Sequence, residues 1–201
     1  KQPSTILLHD GIASISRLSF GGADTSIEAS GSAGLLPGSP LDLRLTGDLN
    51  AALLTFMSRD LKATGRLKVQ ISATGDRKAP KLSGLAEMNG GTLSLRNPRV
   101  VADSLTVRLA LDPKQITVRD FKGTLNGGPM NVTGTIGYHN GILNDLNLTA
   151  TMQDFFFNFP EGLKSSSSGT LAITSSEDAI VVSGNVLAQE SSYRESFEVT
   201  G

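Results

Sequence analysis

The residues able to carry covalent or metal chemistry are few. The chain has two histidines and no cysteine. His139 sits in Tyr138-His139-Asn140-Gly141 and His9 precedes Asp10-Gly11, so both read as solvated turn residues. A Ser-His-Asp triad draws its members from distant parts of a chain. With 23 serines, chance pairing with a histidine is easy and carries no weight. Gly31-Ser32-Ala33-Gly34 follows a strand-like run, but no helical pattern follows it, as a nucleophile elbow would require. There is no His-x-x-x-His, no calcium-loop spacing and no phosphate-cradling Gly-x-x-x-x-Gly-Lys-Ser/Thr. The pair Glu177-Asp178 reads as a solvated turn, and Asn131-Val132-Thr133 and Asn147-Leu148-Thr149 match the glycosylation pattern inside runs that read as strands. The expectation is a protein that is not an enzyme, with no catalytic residues, no metal site and no cofactor.

Composition agrees with that reading. The chain has 201 residues, net charge -1, 38% hydrophobic and 5% aromatic residues. Hydrophobics suffice for a core, and near-zero net charge argues against a nucleic-acid partner. No run of about 20 apolar residues could span a membrane as a helix. The chain begins at Lys1 with no signal-peptide pattern, and reads as a piece of something longer.

The element that repeats is the half-buried strand, marked by period-two alternation. Leu41, Leu43 and Leu45 alternate with Asp42 and Arg44. Leu67, Val69 and Ile71 alternate with Lys68, Gln70 and Ser72. Leu105, Val107, Leu109 and Leu111 follow, then Ile116 and Val118, Val132 and Ile136, Leu146 and Leu148, Leu171 and Ile173, and Ile180, Val182 and Val186. Between them stand Gly21-Gly22, Gly90-Gly91, Asp112-Pro113, Gly127-Gly128 and His139-Asn140-Gly141, the marks of consecutive antiparallel hairpins. One short helix is expected over Leu49–Ser58, with Asp48 as its N-cap.

An internal repeat of about 103 residues runs beneath this pattern. Gly31 falls on Gly134, Leu43 and Leu45 on Leu146 and Leu148, Gly65 on Gly169, and Gly84 on Gly184, the offset drifting from 104 to 100. Each copy holds a segment that breaks alternation, one containing Leu54 and Phe56, the other Phe155, Phe157, Phe159 and Pro160. The second is expected to fold over an open face or end of the sheet, as an apolar knot, with Ser165–Ser168 a mobile link after it. The division falls at 1–81 and 82–201, two units of one continuous sheet.

About a dozen strands at ~4.8 Å each make a sheet on the order of 60 Å long, whose apolar face must be covered. A closed sandwich is one solution. The other is a sheet curled into a trough filled by something else, its wall lined by the alternating aliphatics named above. The basic residues Arg17, Arg44, Arg66, Lys68, Arg108 and Arg119 then form a solvated outer face.

The order Leu82-Ser83-Gly84, Gly91-Thr92-Leu93-Ser94-Leu95, Asn97-Pro98, the 105–111 strand, Val118–Gly128, Val132–Ile136, Leu146–Thr151, the Phe155–Pro160 knot, Gly169-Thr170-Leu171 and Val182–Val186 resembles the C-terminal region of TamB proteins, members of the AsmA-like superfamily. These resemble in turn the bridge-like lipid transfer proteins. The likeness is clear over residues 82–201 and fainter before. It implies an all-β, elongated antiparallel sheet curled into a taco-like hydrophobic groove. It implies a periplasmic place in a diderm bacterium, with attachment to the inner membrane by a segment not present here. The implied activity is conduction of phospholipid between inner and outer membranes, with acyl chains and an outer-membrane barrel protein as partners. Two alternatives stand beside it: a β-rich scaffold for outer-membrane protein assembly acting by strand-edge pairing, and a filled-core adhesin-like β-solenoid.

Overall fold

Alternating aliphatic and polar residues, punctuated by turn residues, give strand after strand joined to its sequence neighbour. The computed structural model describes residues 5–22, 24–36, 38–56, 60–96, 99–139, 142–158, 163–176 and 179–193. Fourteen strands form one sheet: β1 (Thr5–His9), β2 (Ile12–Gly22), β3 (Thr25–Gly34), β4 (Pro40–Asn50), β5 (Leu61–Thr64), β6 (Arg66–Asp76), β7 (Ala79–Asn89), β8 (Thr92–Leu95), β9 (Val100–Leu111), β10 (Gln115–Leu125), β11 (Gly128–His139), β12 (Ile142–Asn158), β13 (Leu163–Ser176) and β14 (Ala179–Tyr193). Twelve lie side by side in the order β1-β2-β3-β4-β6-β7-β9-β10-β11-β12-β13-β14, while β5 pairs β8 and β8 pairs β9. Every pairing among the described strands is antiparallel. The sheet does not close into a barrel, and it forms a curled all-β groove. Among the described residues there is one sheet and not the two of a closed sandwich, and its antiparallel pairings differ from the parallel ladders of a parallel β-helix.

Turn chemistry follows the sequence at Asp10-Gly11 and Asp112-Pro113 and one residue before Gly127-Gly128, while Asn140 and Gly141 lie outside the described residues. Asp10 and Gly11 both have positive φ (49° and 73°) between the paired His9 and Ile12, as a two-residue type I′ turn demands. Asn126 and Gly127 repeat this between Leu125 and Gly128 (45° and 92°). At Asp112-Pro113, the Asp112 carboxylate accepts from the Lys114 and Gln115 amides, at 2.8 and 3.1 Å. Two glycine pairs behave otherwise. Gly21 and Gly22 lie within β2, paired with Ser26 and Thr25. Gly90-Gly91 separates β7 from β8 and makes no hairpin, because both strands lie against β9, the one at 106–111 and the other at 100–102.

The expected helix is displaced and tighter. Leu49 and Asn50 end β4, paired with Leu67 and Arg66, and a 3-10 helix spans Ala51–Phe56. Its cap is Asn50, whose side-chain oxygen accepts from the Ala52 amide at 2.9 Å; Asp48 lies in β4 opposite Lys68. Ladder bonds to β6 hold Asp48 in the sheet, which removes it from capping. The Phe knot is also corrected: Phe155, Phe156 and Phe157 continue β12 and pair with Ser167, Ser166 and Ser165 of β13. The serine run is thus a strand, held by ladders on both sides. Phe155 is buried and Phe156 exposed, as alternation requires. Phe159, Pro160 and the Glu177-Asp178 turn lie outside the described residues, as do the side chains of Leu54, Phe56 and Phe157. The division at 81/82 falls inside β7, through which the sheet is continuous.

Candidate functional site

Residues opposite one another in an antiparallel pair share a face, so the register shows which side chains line one surface. One row runs Phe20, Ile27, Gly47, Val69, Ala86, Leu109, Val118, Gly134, Leu148, Ile173, Val182, crossing eleven strands without a polar residue. A second runs Leu18, Ala29, Leu45, Ile71, Gly84, Leu111, Ile116, Ile136, Leu146. Shorter rows place Leu43 beside Gly31 and Ala73, Leu67 beside Met88 and Val107, and Val132 beside Ala150 and Leu171. Val186 faces Gly169, while Leu105 and Ile180 join the face by alternation with Val107 and Val182. Leu41 joins by alternation with Leu43, so the aliphatics named from the sequence as wall residues lie on one face.

They do not lie in one environment. Leu105, Val107, Val69 and Val118 are buried. Leu43, Leu45, Ile71, Leu111, Ile116, Leu146, Leu148, Leu171 and Ile173 are half-buried. Ile180, Val182 and Val186, on the last strand, are more than half exposed (66, 58 and 53%). The cause of the deep burial is local. At Gly65 and at Gly90-Gly91 the chain leaves the main sheet, and β5, β8 and the 3-10 helix turn over one margin of the face. Ala51, Ala63, Met88, Ala102, Leu105 and Val107 pack there, with Leu67, Leu109 and Phe121 against them. Added Cβ atoms at Gly65 and Gly91 would lie 3.0 and 2.7 Å from the Met88 sulfur, so glycine permits this close fold. This closed margin, absent from the sequence reading, was signalled by the cluster of small residues at Ala51, Ala63, Gly65, Gly90 and Gly91.

The opposite face is charged and balanced. Asp48, Lys68, Glu87, Arg108 and Asp120 stand opposite one another in succession, alternating in sign across five strands. Arg108 Nε lies 3.7 Å from Glu87 Oε1, and Lys122 Nζ 3.0 Å from Asp120. Arg17 pairs with Glu28. Among the described residues, no group of three or more His, Cys, Asp or Glu could hold a metal ion, and no helix is long and apolar enough to cross a membrane.

Residues 115–196 match the family model of the TamB C-terminal domain. This stretch is similar to a TamB-type domain. The match opens on the first residue of β10 and covers β10 to β14, within a series of sequence-adjacent antiparallel pairs that also takes in β8 and β9. A TamB-type domain points to a bacterial envelope protein and to involvement in outer-membrane protein assembly or envelope lipid transport. No curated protein and no solved structure matches the chain.

Proposed function

We propose that the apolar face is the wall of a lipid-conducting groove, part of a periplasmic path by which phospholipid passes between inner and outer membranes. The single observation that carries this reading is the row from Phe20 to Val182, apolar through eleven strands with no second sheet over it among the described residues. Acyl chains partition onto such a wall at about 0.8 kcal/mol per buried methylene, and headgroups stay in water. Val69, Ala86 and Val118 are buried while Phe20 and Val182 are open, so in this reading a chain slides over the open stretches of the row, where no polar residue interrupts the apolar surface. A charge on the wall would cost several kcal/mol unless paired, so its absence from the row is a functional requirement. In this reading acyl chains are the cargo, no cofactor takes part, and the inner-membrane attachment lies in a segment outside this chain.

Native mass spectrometry of the purified chain tests it. The wild type is expected to carry phospholipid adducts, and Leu45→Asp and Leu148→Asp to lose them while keeping their β-sheet circular dichroism. Lipid-free wild type, or variants loaded like wild type, would overturn the reading.

A second reading has an observation of its own. β14 pairs only with β13 among the described strands, and Ile180, Val181, Val182, Val186 and Leu187 are exposed on its two faces. A strand with a free edge and apolar sides suits addition of a client strand, the scaffold mode for outer-membrane protein assembly. Photo-crosslinks to a barrel protein from Val181 and Leu187, and none from Leu45 or Leu148, would favour it.

A further inference from the structure

Around β5 and β8 the outer face carries an excess of cations. Lys62 of β5, Arg96 just after β8 and Arg99 just before β9 line a cavity of about 390 Å³, with Asp60, Ser94, Leu95 and Val101. Its volume lies within the usual range of small-molecule sites, about 300–1,000 Å³. Among the described lining residues three cations face one carboxylate, in a chain whose net charge is -1. Elsewhere on this face, Lys68 stands opposite Asp48 and Glu87, and Arg108 opposite Glu87 and Asp120. The ion pairs among the described residues do not involve Lys62, Arg96 or Arg99.

The platform is firm. Lys62, Ser94 and Val101 stand in register across three strands. Their neighbours Ala63 and Ala102 point the other way, into the packed cluster. The Arg96 amide donates to the Asp60 carbonyl at 3.1 Å, fixing where the β8 end leaves the sheet. The cations are thus gathered by tertiary pairing from three separate elements onto a supported surface, and Leu95 and Val101 add apolar ground beside them.

We infer that this cavity binds a phosphate group, carried by an acidic lipid headgroup or free in solution. Guanidinium forks match phosphate oxygens in pairs, a lysine adds a point charge, and the Ser94 hydroxyl supplies a neutral donor. The inference does not depend on the groove carrying lipid, since the cavity lies on the other face of the sheet.

The test compares the wild type with the triple variant Lys62→Gln/Arg96→Gln/Arg99→Gln and with a control, Arg44→Gln/Lys68→Gln/Arg108→Gln, that removes equal charge elsewhere on the outer face. Each is titrated with phosphatidylcholine vesicles with and without phosphatidylglycerol, and separately with inorganic phosphate by NMR. Each basic residue near an anionic surface contributes roughly fivefold, so the site variant should lose on the order of a hundredfold in affinity for phosphatidylglycerol vesicles. The control should lose far less. Phosphate-induced shifts confined to this cavity, without vesicle binding, would assign the free anion; vesicle binding with only weak phosphate shifts would assign the headgroup. Equal losses in site variant and control, or a wild type that binds neither probe, would overturn the inference. Thermal melts of all three proteins separate loss of the site from loss of the fold, and acyl adducts in native mass spectra report the groove independently.

Discussion

Five glycines share one unusual geometry. Gly31, Gly47, Gly84, Gly134 and Gly184 have φ between 124° and 148°, and a Cβ added at any of them would fall 2.0–2.1 Å from a carbonyl oxygen of the adjacent strand. Each lies mid-strand on the apolar face, opposite an aliphatic residue: Leu43, Ile27, Ile71, Leu148 and Leu171 in turn. A sheet curling toward this face crowds its Cβ atoms, and glycine relieves the crowding. Two matched pairs of the repeat recur in this detail, Gly31 with Gly134 and Gly84 with Gly184, whereas Gly65 has φ 121° and Gly169 has no positive φ. Gly134→Ala should therefore destabilise well beyond Gly90→Ala, which has φ 73° and nothing within 4 Å of its added Cβ. The Gly90 change should cost about 1–2 kcal/mol and the Gly134 change several, read as denaturant midpoints. A second contrast separates wall from core. Val107 is 6% exposed in the packed cluster, so Val107→Asp should unfold the closed margin and lower the melting temperature sharply. Leu45→Asp, on the half-buried wall, should leave the melt much nearer wild type and act on lipid loading.

Element by element, the strands were legible because alternation is a local property, and a residue's face follows from its parity. The same parity carries the outer charge row. Glu87 stands between Lys68 and Arg108, so Glu87→Lys would set three cations side by side. Like charges directly opposite cost roughly 0.2–1 kcal/mol per pair, so Glu87→Lys should lower the urea midpoint and Glu87→Gln should lower it less. Elements whose state depends on neighbours were less legible. Pro160 and four Phe residues suggested an interruption near 155, yet β13 supplies a full ladder to Phe155–Asn158, and pairing overrides the broken alternation. Asp154, with φ 47°, absorbs the irregularity as a bulge between Met152 and Phe155. The repeat also slides. Gly31 stands opposite Leu43, but Gly134 stands opposite Leu148 and not Leu146, a shift of one pleat that keeps the same face.

At the scale of the whole molecule, strands contact mainly their hydrogen-bonded neighbours, with the packed cluster at β5, β8 and the 3-10 helix as the principal addition. Stability in such an array is close to a sum of local and nearest-neighbour terms. Hydrogen exchange should show a gradient: slowest at β6, β7 and β9 beside Leu105 and Met88, fastest at β1 and β14, where Ile6, Leu7, Leu8 and Leu187 are 58–67% exposed. Uniform protection from β1 to β14 would contradict this picture. The terminal strands also expose more apolar surface than a monomeric edge normally carries, which is the physical basis of the strand-addition reading.

The sequence by itself determined the strands, their faces, some of the hairpin turns, the glycine correspondence and the likeness to the TamB C-terminal region. All of these rest on parity, turn dihedrals or local order, which need no knowledge of distant residues. Only the tertiary structure decided that the sheet stays open, that one margin is closed by β5, β8 and the 3-10 helix, and that Lys62, Arg96 and Arg99 meet. A two-faced strand satisfies a sandwich, a barrel or a trough equally well. Which one forms depends on how ladders between distant segments add up in twist and curl, and on where glycine lets one strand approach another.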